Sequence, residues 1–65
     1  MNIYAAQAAV AFVMNKGYPE WTMVCRHHTF SFVFNDDSHA VELRDYLVEK
    51  EFGAVIPVHS PRVVV

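Results

Sequence analysis

Apolar residues run almost unbroken at the start of the chain, alternate in the middle, and take a helical period before a Val-rich end. Residues 2–16 predict a helix, because alanine at 5, 6, 8, 9 and 11 loses no side-chain entropy there. Asn2 suits the N-cap, Lys16 the negative end of the helix dipole, and Gly17 the left-handed position beyond the last turn. Pro19 prevents resumption. This helix is apolar nearly all round, with Ile3, Ala6, Val10 and Val13 on one side and Ala5, Ala9 and Phe12 on another. Such a pattern calls for burial on more than one face.

From Glu20 the period becomes two. Trp21, Met23 and Cys25 alternate with Thr22, Val24 and Arg26, and Phe30, Phe32 and Phe34 alternate with Thr29, Ser31 and Val33. The β-branched and aromatic content predicts an antiparallel hairpin over 20–34. Folding it about His27-His28 sets Cys25 against Phe30, Met23 against Phe32 and Trp21 against Phe34, all on one face. A His-His pair is unusual for a two-residue type I′ turn, so a four-residue loop with the same pairing is expected.

Asn35-Asp36-Asp37-Ser38 is a helix-start cluster, and residues 38–51 predict an amphipathic helix. Ala40, Leu43, Tyr46 and Leu47 form one apolar stripe, Val41, Val48 and Phe52 a second, and Glu42, Asp45 and Glu49 a solvated face. Gly53 is expected to end it. Residues 54–58 predict a strand that Pro57 demotes to an edge, followed by a Ser60-Pro61 turn and a β-prone tail over 62–65. The fold class is therefore α+β, a single two-layer domain over 1–65. Its order is α-β-β-α-β, with or without an additional short C-terminal strand, and the helices cover the face of Trp21, Met23, Cys25, Phe30, Phe32 and Phe34. A right-handed crossover should return the strand after the second helix to the same sheet.

At this point a resemblance enters. The order is similar to a ferredoxin-like fold, β-α-β-β-α-β, lacking its first strand. Within it, Phe30-Ser31-Phe32-Val33-Phe34, then Asn35-Asp36-Asp37, Ala40 and Leu43, resemble the third strand and second helix of RNA-recognition motifs. That resemblance implies single-stranded RNA stacked on Phe30 and Phe32, although Thr29 and Ser31 stand where the motif has glycines. The stretch 30–47 is also similar in style to the strand-then-helix ends of small phage-encoded accessory proteins. What that implies is a free-standing, host-cytoplasmic protein that binds a larger protein and modulates or inhibits it.

Composition narrows the functional classes. With 65 residues, the chain is near the size at which folding buries only about 60% of the unfolded surface. A single cysteine excludes an intrachain disulfide, and a net charge of −2 gives no footprint for nucleic acid or anionic membrane. The apolar run before Lys16 is too short to span a bilayer and has no basic leader ahead of it, so a cytoplasmic protein is expected. Cys25 and His27, with His28, His39 and His59, lack the paired spacing of a zinc site, and no metal or cofactor is expected. His27 and His28, at a hairpin tip, could make a contact pH-sensitive. Cys25 among Phe and Met residues is a core residue, not a nucleophile. The glycines fall at helix ends and not in a phosphate loop, and the carboxylates read as caps or solvent-facing groups, so no catalytic residue is assigned.

What remains is association. Self-association is expected through Ile3, Ala5, Ala9, Val10, Phe12 and Val13 together with the edge strand, giving a homodimer. A protein target is expected to meet Arg44, which lies between the apolar stripes, and the acidic residues Asp36, Asp37, Glu42, Asp45 and Glu49 around it. A small-ligand or nucleotide pocket between subunits is the alternative.

Overall fold

The computed structural model describes residues 3–52, 56–57 (backbone) and 62–65. In chain order these form α1 (Ile3–Lys16), β1 (Thr22–Arg26), β2 (Thr29–Val33), α2 (Asp37–Glu49), β3 (Ile56–Pro57) and β4 (Arg62–Val64). The α+β order is as the sequence predicts, with the additional C-terminal strand present. Expectations for Asn2, Gly53, His59, Ser60 and Pro61 lie outside the described residues.

The hairpin register is the predicted one, with Met23 opposite Phe32 and Cys25 opposite Phe30. Its turn is shorter than expected. Arg26 pairs directly with Thr29, leaving His27 and His28 as a two-residue loop at φ 52° and 63°. Both adopt the left-handed conformation that a type I′ turn demands. The Thr29 hydroxyl donates to the Arg26 carbonyl at 2.6 Å and ties the turn's base.

The sheet order is β1-β2-β4-β3, every neighbouring pair antiparallel. Because β4 opposes both β2 and β3, those two run parallel, and β2-α2-β3 is a split β-α-β unit with β4 inserted. β4, the last described strand, thus takes the central position between β2 and β3.

Both helices pack on one face of this sheet. Ala9 and Val13 from α1 meet Ala40, Leu43 and Leu47 from α2 over Phe32, Phe34 and Val63. Phe12 stacks on Tyr46 at 4.5 Å, with Lys16 over the first ring and Lys50 over the second. The predicted covered face is buried in part. Phe32 and Phe34 are buried and Phe30 and Trp21 partly so, but Met23 is 43% exposed and Cys25 is an exposed thiol. Alternation identifies a face, not how far the helices reach across it, and β1 is an edge strand. The second stripe of α2 is corrected likewise: Val41 and Val48 are exposed, and only Phe52 packs on the core.

Each helix ends in the same hydrogen-bonded cap. Gly17 N–H donates to Met14 and Tyr18 N–H to Val13; Glu51 N–H donates to Val48 and Phe52 N–H to Leu47. This is the Schellman pattern, and it needs a left-handed residue after the last turn. Gly17 fills that position in α1 at φ 72°, whereas in α2 it is Glu51 at φ 60°, two residues before the predicted Gly53.

Two stability predictions follow from these backbone conformations. Left-handed backbone costs a non-glycine residue about 1–2 kcal/mol, so His27→Asn/His28→Gly should stabilise the protein by about 1–2 kcal/mol, read from the urea midpoint at unchanged m-value. Glu51→Gly should gain, and Gly17→Ala should lose, about 1 kcal/mol by the same measurement; nothing lies within 4 Å of a β-carbon at Gly17, so its loss is conformational.

Candidate functional site

The first helix is packed the unusual way round. Its buried positions are Ala5, Ala6, Ala9 and Val13, mostly small, while Ile3 is 53%, Tyr4 73% and Met14 68% exposed. Alanines allow α1 to lie close to the rest of the fold, and the rotation that buries them turns the larger side chains outward. An open groove of about 550 Å³ results between α1 and the helix-facing side of β1 and β2. Ile3, Val10 and Met14 line it from the helix and Met23 and Phe30 from the sheet, with Gln7 its one polar side chain.

This geometry sorts the residues expected to mediate self-association. Ile3 and Val10 lie in the groove. Ala5, Ala9 and Val13 are fully buried within their own chain and cannot meet a partner, and Phe12 is committed to its stack on Tyr46. Met14, Met23 and Phe30 were not singled out for this role. A helix apolar on every side gives no periodic signal of which side is covered. The edge involved also differs: the groove opens at β1, at the opposite end of the sheet from the Pro57 strand.

The polar candidates are held mostly by local bonds. Arg44 is half-buried and directs Nε and Nη2 to Oδ1 of Asp45, at 3.2 and 3.1 Å. Together with exposed Val41 and Val48 they form an outward i, i+3, i+4, i+7 face on α2. Asp36 is the N-cap, accepting from the Ser38 N–H at 2.8 Å and hydroxyl at 2.7 Å. Those donors, the hydroxyl foremost, hold its carboxyl below the usual range. Asp37 lies in the first turn, where its charge favours the dipole, and Glu49 is exposed at the last.

Glu42 accepts from the Tyr18 hydroxyl. Tyr18 also stacks on His39 at 4.1 Å and meets Phe34 edge-on at 5.8 Å, joining the end of α1 to β2 and α2. The Nδ1 of His39 is buried and has no hydrogen-bond partner among the described residues. No group of three or more potential metal ligands occurs among the described residues, and no described helix is long and apolar enough to cross a membrane. Phe32 is fully buried under the helices and Phe30 partly buried, so neither lies on the open face of the sheet, where a stacked base would be expected.

Against known proteins, the chain matches no family model, and neither a curated protein nor a solved structure is significantly similar to it.

Burial and then the bond to Glu42 push the Tyr18 phenol well above its ordinary value. A raised folded-state pKa adds stability that is complete below the unfolded value, near pH 10, and is lost as pH rises through the folded value. Phenolate absorbance should therefore show Tyr18 ionising at lower pH in Glu42→Gln, by comparison with a Tyr18→Phe reference. An unchanged titration would mean that Glu42 does not hold the hydroxyl.

Proposed function

We propose that this chain is a non-enzymatic, cytoplasmic interaction protein that pairs with a second copy of itself through the α1–β1 groove and modulates a larger protein through the outward face of α2. The observation that carries the reading is the inverted packing of α1, which buries alanines and presents Ile3, Tyr4 and Met14. Loose folding does not account for that exposure. The total surface is 4280 Å², close to the roughly 4200 Å² that the size scaling gives a compact monomer of 7.4 kDa. An ordinary interface takes about 800 Å² from each partner, about a fifth of the 4280 Å² present. The outward side of α1 with the wholly exposed β1 edge is a surface suited to that scale. An exposed free thiol at Cys25 fits a reducing compartment.

The Val41, Arg44, Asp45 and Val48 face supports the second half of the reading, because a charged pair flanked by apolar side chains at helical spacing matches how helices dock into partner grooves. Its contribution would be specificity, since truncating or reversing one member of such a pair leaves the other charge unmatched.

Light scattering over a concentration series should give a mass of about 15 kDa, the doubling that isologous pairing produces. Met14→Glu and Ile3→Glu should each return it to 7.4 kDa without loss of folded structure, since both side chains are more than half exposed. A wild-type mass of 7.4 kDa at every concentration would overturn the self-association. Arg44→Glu should leave the mass unchanged and abolish capture of the target protein.

A further inference from the structure

The face of the sheet turned away from the helices carries a second surface. Alternation places Thr22, Val24 and Arg26 of β1, Thr29, Ser31 and Val33 of β2, and Arg62 and Val64 of β4 on that side, and none of them is fully buried. A concavity of about 330 Å³ lies here, lined by Val24, Arg26, His27, Thr29, Ser31 and Arg62. Its charged lining is of one sign.

Acidic side chains are kept off the strands in this chain. All seven carboxylates, Glu20, Asp36, Asp37, Glu42, Asp45, Glu49 and Glu51, fall outside the strands. Glu20, the nearest to β1 in sequence, is held by Asn35 Nδ2 at 2.9 Å and does not line the concavity. Among the cations, Lys16 and Lys50 lie over rings and Arg44 is paired with Asp45. Arg26 and Arg62 have no ion-pair or ring partner among the described residues. They also stand on different strands, on either side of β2: Arg26 is opposite Thr29 and Arg62 opposite Val33. By strand rise and spacing, their backbones are roughly 17 Å apart, yet both line the same concavity. Two like-charged side chains therefore border one concavity, with Ser31 on the strand between them.

We propose that Arg26 and Arg62 form a two-armed site for the phosphate of a small phosphomonoester, seated over Ser31 on the open face of the sheet. A carboxylate offers two oxygens and one charge, which a single guanidinium fork satisfies; a phosphomonoester offers three terminal oxygens and close to two charges, enough for both forks at once. Ser31 supplies a hydroxyl donor between them, since the Thr29 hydroxyl is already engaged with the Arg26 carbonyl. The volume is at the low end for ligand pockets, which suits a phosphate with a compact group attached. The site lies on the other side of the sheet from the α1 groove.

The test is a titration of the full chain, following backbone amides and arginine Nε–H signals by heteronuclear NMR at constant ionic strength. Inorganic phosphate and a nucleoside monophosphate should shift Arg26, Ser31 and Arg62 saturably, at least tenfold more tightly than acetate. Arg26→Gln and Arg62→Gln should each weaken phosphate at least tenfold with amide dispersion retained, whereas Lys50→Gln should leave it unchanged. Equal weakening by Lys50→Gln would reduce the effect to net charge and overturn the site, as would equal binding of acetate. A short oligonucleotide without terminal phosphates that binds as tightly as the monophosphate would overturn the small-ligand class.

Discussion

Phe32 lies in β2 with a paired strand on each side, Met23 opposite it in β1 and Val63 opposite it in β4, and both helices close over its ring. Trp21 stacks on it from the β1 end. Those relations define one register for the sheet, and a slip of one residue would turn every covered side chain outward. In a core this small, fixing the sheet on Phe32 also fixes what it cannot cover. The helices meet over β2 and β4, and the β1 edge projects beyond them.

Much of this was legible in the sequence. Alternation around Cys25 and Phe30 gave the hairpin register, the Asp36 cluster located the start of α2, and Gly17 its counterpart at the end of α1. What was not legible has physical reasons. The turn at His27-His28 is settled by strand pairing, which forces a left-handed conformation that propensity disfavours. Glu51 caps α2 for a similar reason: Phe52 must reach the core, so the chain reverses before Gly53. The covered side of α1 could not be read, because periodicity cannot orient a helix whose every side is apolar.

The open-face arginines illustrate a different limit. Arg26 and Arg62 are far apart in sequence and share no motif, and only the insertion of β4 beside β2 brings them to one concavity. A net charge of −2 suggests a mildly acidic particle. The fold keeps the acidic side chains off the strands and sets Arg26 and Arg62 on the open face of the sheet, an uneven distribution that an averaged charge conceals. That face is not announced by composition, since it exists only after the layers have formed.

Insertion of β4 has one more effect. Val65 exchanges backbone hydrogen bonds with Phe30 at 3.0 and 2.9 Å, and Phe30 lines the same groove as Ile3. The two ends of the described chain therefore converge on one rim of the apolar groove. Backbone pairing thus holds the last described residue beside a side chain that shares the groove with the start of α1. A change in how β4 pairs with β2 would therefore reach the apolar groove through Phe30, although β4 itself contributes no side chain to its lining.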